Sequence, residues 1–542
     1  MLSYNSCTYR YPSRRNVVFA ANGMACTSVP LGAQIGIDIM KNGGNAVDAA
    51  VAMAAAMPIL EPTGNGMGSD CFALIWIEKE KKLYGLNASG IAPAALNGLK
   101  IRAMGHEQIP MEGWIPVLVP GAPAGWAELN KRFGSKSLRE IFEPARRYAL
   151  RGNPVPVNVA KLWAADSERI CAASAADSEP FRGFMQFFLK KDGTPYRAGE
   201  VFRSPEYADT LTELADTNCE SFYRGAVRDA IVHFSDQTGG YLSKEDFAGY
   251  APLWVDPIEI DYKGYTVSEI PPNGHGITVL MALKILEGMD LPQEREDPES
   301  YHKMIEAIKL AFVDAKEYVA DFRYMKVSAD ALLSDGYADE RRRLISDSAM
   351  EPLYGDPSGS DTIYLCTADA EGNMVSFIQS NYKCFGSGIV VPGTGISLQN
   401  RGANFSLDPS SANYYSGGKR SYHTIIPGFL RKGDQCIGPF GVMGGFMQPQ
   451  GHVQLLLNAI DYHMNPQECL DAPRFQWVGG EKILLEQAVD CSIAESLRQR
   501  GHDVTVIQDN VSMGRGQIIW RFAEGVYVGG TEPRCDGSVA SF

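Results

Sequence analysis

The 542-residue chain carries 50 Lys and Arg against 64 Asp and Glu, a formal net charge of −14. With 45% apolar and 21% charged residues it reads as a globular protein with ample length for a buried core, which argues against long disorder and disulfide-scaffold classes. The acidic balance disfavours nucleic acid as a partner, and no stretch reaches the roughly 18 uninterrupted apolar residues of a membrane span.

By length alone, three or four domains of about 150 residues are expected. The N-terminal segment MLSYNSCTYRYPSRRNVVFAANG lacks the apolar centre of a signal peptide, so a cytoplasmic location is expected. Eleven cysteines are scattered from Cys7 to Cys535, odd in number and without paired spacing, which suits reduced, mostly buried thiols. Cys366 and Cys384 read as small hydrophobes rather than nucleophiles.

In chain order, LGAQIGIDIMKNGG has apolar residues at helical spacing and stops at Gly43-Gly44. Asn45 is placed to cap a second helix, AVDAAVAMAAAMPIL. The run CFALIWIEKEKKLYGLNASG predicts a strand, a charged turn and a strand. YKGYTVSEIPP predicts a strand, and ITVLMALKILEGM and MIEAIKLAFVDAKEYVADF predict amphipathic helices. From about Ser328 to Ser360 polar and small residues accumulate, as in a linker or surface loop. DTIYLCTAD, GNMVSFIQS, GIVVPGTGISLQN, HTIIPGFL and DQCIGPFGVMGG then predict strands. The helix HVQLLLNAIDYHM and a final meander of DVTVIQ, GQIIWRF and GVYVGG complete the chain. Two β-rich blocks with helices in separate runs imply packed sheets flanked by helices rather than a doubly wound fold.

Generic motifs are absent. There is no G-x-S-x-G, H-E-x-x-H, Walker A or C-x-x-C sequence, and the eight His are dispersed, so neither a metal nor another cofactor is expected. The glycine-dense GSGIVVPGTG does not open a helix, so a dinucleotide site is not expected there. Asp361-Thr362 lies between the polar stretch and a strand. A threonine hydroxyl becomes a useful nucleophile when its own freed α-amine acts as base, which requires cleavage of the preceding peptide bond. Taken alone, the dipeptide favours an ordinary threonine that opens a strand.

The wider sequence resembles the γ-glutamyltransferase family of N-terminal nucleophile hydrolases, closest in pattern to its cephalosporin-acylase-like members. The resemblance is carried by GGNAVDAAVAM at 43–53, EPTGNGMGSDCFALIW at 61–76, VPGAPAGW at 119–126 and GGYLSKEDFAGY at 239–250. It continues through YKGYTVSEIPPNGHG, DTIYLCTADAEGNMVSFIQS, FGSGIVVPGTGISLQNRG, VMGG and DAPRF in the family's order. It implies a four-layer αββα sandwich and a precursor that cuts itself between Asp361 and Thr362. The products are a large subunit, 1–361, and a small subunit, 362–542, held as one composite heterodimer, with further association left open. It also implies Thr362 as nucleophile, Ser380 as the hydroxyl that positions it, and Gly444 and Gly445 as the oxyanion-binding amides. A Cβ at those glycines would crowd the approach of an oxyanion.

The substrate positions depart from the family. The arginine that clamps a glutamate carboxylate corresponds to Ser89, and the alternative arginine of acylase-like members corresponds to Ile91. The paired serines correspond to His423 and Thr424, the acid that meets a substrate ammonium to Asn404, the nearby glutamine to Arg401, and an asparagine to Tyr382. Without the acid, a substrate ammonium would be left unpaired in a dry pocket. A small-molecule amide with an acyl carboxylate and no α-amino group, glutaryl-like, therefore fits better than a γ-glutamyl compound. Arg401 or the Lys419-Arg420 pair is left to hold the carboxylate. The short segment Phe405 to Arg420 favours an open pocket and hydrolysis over transfer. The alternatives are a γ-glutamyltransferase or glutathione hydrolase and, in another class, an uncleaved, inactive scaffold or binding protein.

Overall fold

The computed structural model describes residues 15–351 and 362–542. Two seven-stranded antiparallel sheets form its centre. The first runs in the order Val18–Ala20, Tyr527–Thr531, Arg515–Arg521, Gln435–Met443, Gly428–Lys432, Tyr265–Glu269 and Ile258–Tyr262. The second runs Ser538–Ser541, Met24–Thr27, Ile363–Ala368, Met374–Ser380, Asp70–Ile77, Lys82–Ala88 and Leu253–Val255. Strand Ile363–Ala368 packs across the sheet interface against Gln435–Met443 and Arg515–Arg521. Gly441 permits that approach, because a Cβ there would lie 2.4 Å from the Tyr364 ring.

Helices Pro30–Lys41 and Ala46–Leu60 cover the second sheet, and Ile277–Glu287 and Met447–Ile460 cover the first, which completes the αββα layering. Ala46–Leu60 has no polar stripe and is buried along its whole length between other helices and the sheet. Its many alanines permit that close packing on all sides. Asn45 caps it: its side-chain oxygen accepts from Val47 N at 2.9 Å and Asp48 N at 3.0 Å, and the Asp48 carboxylate accepts from Asn45 N at 3.0 Å.

Four expectations need correction. The polar stretch after Ser328 holds two short helices, Ala329–Leu332 and Asp335–Arg342, each capped by a serine, Ser328 and Ser334. GIVVPGTGISLQN contributes only the two-residue hairpin strands Val390–Val391 and Ile396–Ser397. The tail is not one meander, since Asp503–Ile507 pairs in parallel with Lys482–Glu486 in a separate three-stranded sheet. The length-based domain count also gives way, because each large sheet takes strands from both sides of the 352–361 stretch. No described helix is long and apolar enough to cross a membrane.

Candidate active site

Three central strands of the second sheet have their ends side by side. Ile363 pairs with Gln379 in an antiparallel register, which carries Thr362 opposite Ser380. Ser380 is in turn paired with Asp70 on the next strand. Cross-strand neighbours at such positions approach closely enough for their side chains to meet. Thr362 Oγ1 donates to Ser380 Oγ at 3.2 Å, and Ser380 Oγ accepts from Tyr382 N at 2.8 Å. All three residues are buried. Asp361 lies outside the described residues.

The first sheet supplies the opposite wall. Strand Gln435–Met443 ends at Gly444 and Gly445, whose φ angles of +133° and +57° lie where side chains are strained. Helix Met447–Ile460 follows directly, so its positive end lies beside the glycine pair. Gln448, in the first turn, donates from Nε2 to Thr362 Oγ1 at 3.4 Å. Gln448 thus brings the start of this helix, which directly follows the glycine pair, to the threonine hydroxyl.

His423 and Arg401 lie around Asp70 in a buried polar cluster, which Thr424 and Tyr382 join through Arg401. His423 Nε2–H donates to Asp70 Oδ2 at 2.9 Å, and Gln399 Nε2 lies 3.3 Å from both Asp70 oxygens. Gly121 N also donates to Asp70, at 3.3 Å. Burial raises the Asp70 carboxyl to about 6, with the Arg401 charge opposing the rise. Burial, together with Arg401 and Arg420, holds His423 well below the ordinary histidine range. At neutral pH the pair is therefore a carboxylate and a neutral imidazole.

Arg401 opens the short 3₁₀ turn Arg401–Asn404 and is fully buried. Its Nη1 donates to Thr424 Oγ1 at 2.6 Å, and its guanidinium lies 4.6 Å from the Tyr382 ring centroid. Tyr382 itself has φ +83°, a strained conformation for a residue with a side chain. Among the described residues Arg401 Nε and Nη2 have no partner, although both are buried. Burial brings the guanidinium down to about 10, so it stays charged at neutral pH. Asn404, on the same turn, also has an unpartnered buried Nδ2 among the described residues.

The other basic candidates are committed. Arg420 donates to Ser89 O, to Ser89 Oγ at 3.2 Å and to Ala251 O at 2.8 Å. Its guanidinium thus fills the space beside Ser89 while bonding mainly to backbone carbonyls. Lys419 Nζ donates to Ala412 O and, at 3.1 Å, to Tyr414 O, which staples the Phe405–Arg420 segment to itself.

Sequence reasoning assigned no role to Asp70, Gln399 or Gln448. Asp70 carried a usable signal, a lone charge opening the otherwise apolar strand DCFALIWI, because buried charges need partners. The dispersed histidines were a poor guide to clustering: His302 Nδ1 and His502 Nε2 lie 2.9 Å apart beside Glu306. This is a possible cation-binding group, but Lys309 Nζ sits 2.8 Å from Glu306 Oε1 and already supplies a positive charge. Cys366 is buried and paired across strands with Cys26, and burial raises its thiol well above the ordinary range. A thiol held protonated in this way is a poor nucleophile.

Comparison with known proteins extends this geometry. The family model described as gamma-glutamyltranspeptidase matches residues 32–542. The chain belongs to this family. The chain is 34% identical over 516 residues to a glutathione hydrolase-like proenzyme of Bacillus subtilis, covering 94% of this chain and 96% of the relative. Similarity to the oxamate amidohydrolase proenzyme of Klebsiella pneumoniae is 32% over 537 residues, 96% and 99% of the two chains. The solved cephalosporin acylase from Bacillus halodurans superposes with a TM-score of 0.94 at 54% identity, over 99% of each chain. The fold is that of the N-terminal nucleophile acylases, and the chain is an enzyme of this amidohydrolase and acyl-transfer family.

Proposed function

We propose that the chain is an autoprocessed N-terminal-threonine amidohydrolase acting on amides whose acyl part ends in a carboxylate and carries no α-ammonium. Cleavage between Asp361 and Thr362 frees the α-amine that serves as base. Thr362 Oγ1 bonds to the amide carbon while its proton passes to that amine. Gly444 and Gly445 receive the oxyanion, the leaving amine departs with the proton, and water then releases the acid from the acyl-enzyme. Ser380 holds the threonine hydroxyl in line.

The observation that carries the substrate class is the pair of unpartnered donors on buried Arg401. Nε and Nη2 form one edge of the guanidinium fork, the edge that accepts a carboxylate side-on. The nearby acid, Asp70, is engaged by His423, Gln399 and Gly121. Asn404 offers no charge to a substrate ammonium.

Two experiments test this function. On a denaturing gel the 59.2 kDa chain should resolve into pieces of about 40 and 20 kDa, and Thr362→Ala should leave one full-length band. An uncut wild type that retains activity refutes the nucleophile. In a paired assay, glutaryl p-nitroanilide should be hydrolysed in preference to γ-glutamyl p-nitroanilide. The opposite preference establishes the γ-glutamyl alternative.

A further inference from the structure

Gln448 touches the oxygen to which the proposed chemistry assigns the attack, and its orientation is fixed from the far side. Its Oε1 accepts from Ile426 N at 3.0 Å, and its Nε2 lies 3.4 Å from Thr362 Oγ1. A backbone N–H can only donate, so the carboxamide oxygen must face Ile426 and the NH₂ must face the threonine. The residue is fully buried, so no solvent competes for either end. Because Oγ1 donates to Ser380 at 3.2 Å, it sits between an acceptor on the sheet and a donor on the helix.

We propose that Gln448 is a catalytic hydrogen-bond donor to the Thr362 oxygen, used both in self-cleavage and in amide hydrolysis; this rests on Thr362 as the nucleophile. In the mature enzyme Oγ1 forms a bond to the amide carbonyl carbon as its proton passes to the α-amine, and the C–N bond then breaks with that proton leaving on the amine. In self-cleavage Oγ1 bonds to the Asp361 carbonyl carbon, the Asp361–Thr362 C–N bond breaks, the hydroxyl proton ends on the released Thr362 amine, and water hydrolyses the resulting ester. Gln448 exchanges no proton in the step. Its N–H strengthens its bond to Oγ1 as negative charge grows there before the new C–O bond is complete. At 3.4 Å the ground-state contact is long, so most of the gain falls in the transition state, which is the condition for raising kcat rather than lowering KM. The donor also polarises the hydroxyl during self-cleavage, when no free α-amine exists.

Two variants separate this role from packing. Gln448→Met retains length and apolar bulk but removes the donor. Gln448→Glu retains shape, loses the donor when ionised and regains an O–H donor when protonated. With glutaryl p-nitroanilide, Q448M should lose about tenfold to a hundredfold in kcat, with KM within about twofold, and should self-cleave more slowly in a gel time course. The activity of Q448E relative to wild type should rise as pH falls from 8 to 5, a ratio that cancels the titration of the shared α-amine. A cut, active wild type with Q448M matching it in kcat and cleavage rate, or a Q448E ratio flat with pH, overturns this assignment alone. A wild type that is neither cut nor active overturns Thr362 as nucleophile and this assignment with it.

Discussion

Replacing Arg401 with methionine removes the guanidinium while keeping a side chain that can lie on the Tyr382 ring. Arg401 Nη1 is taken by Thr424 at 2.6 Å, so the Nε and Nη2 edge is what a substrate carboxylate would meet. Each hydrogen bond to a charged group contributes about 1.5–3 kcal/mol, and leaving one member of a buried ion pair alone costs about 3–5 kcal/mol. Taking about 3–4 kcal/mol, and about 1.4 kcal/mol per factor of ten, R401M should lose about 10²–10³ in kcat/KM on glutaryl p-nitroanilide. On valeryl p-nitroanilide, which has the same five-carbon acyl chain without the carboxylate, the change should stay within about threefold. The assay is the ratio of the two kcat/KM values in wild type and variant, read by release of p-nitroaniline. Equal losses on both substrates would show that Arg401 only maintains the pocket. No loss on either would remove it from substrate recognition.

Ser380→Ala should slow both self-cleavage and hydrolysis by about tenfold or more, since Thr362 loses the 3.2 Å partner that orients its hydroxyl; unchanged gel kinetics would refute it. Gly444→Ala places a Cβ 3.2 Å from Gly514 Cα at φ +133° and should reduce kcat by at least tenfold while the far-UV circular dichroism is retained. Asp70 yields a pH prediction. Its folded carboxyl titrates at about 6 against 3.8 in the ordinary range. Between those values the folded chain keeps a proton that the unfolded chain has released, so stability falls as pH rises through the window and the deficit is complete above it. Urea unfolding should therefore show wild type losing about 2–3 kcal/mol relative to Asp70→Asn between pH 4 and pH 7. A constant difference across that range would contradict the burial argument.

Much of the fold was legible because the central strands and helices announce themselves by period and caps. Asn45 capping the alanine helix and the all-buried run Ile363–Ala368 are examples. The expected helix began at His452, whereas the helix starts at Met447 and carries Pro449 in its first turn, where its missing N–H is not needed. Gln448 was lost with that turn. Thr362 and Ser380 were reachable through the family resemblance, and the strand register explains why they meet. That Arg401 keeps unpartnered donors among the described residues while Lys419 and Arg420 bond to backbone carbonyls was not legible, since three basic residues in loops look alike until their hydrogen bonds are counted. Asp70, Gln399 and His423 come from three separate segments, and only tertiary packing brings them together.

Both central sheets interleave strands from before and after the proposed cut. Neither piece then owns a complete hydrogen-bonded layer, so a cut after folding leaves the two pieces topologically committed to each other. The small piece made alone would present open ladder edges on Ile363–Ala368 and on Gly428–Lys432, whose neighbours Met24–Thr27 and Tyr265–Glu269 lie in the large piece. Such edges invite aggregation rather than reassembly. The proposed self-cleavage would therefore follow folding: the sequence assembles this architecture as a single thread, and each separated piece would hold only part of each sheet.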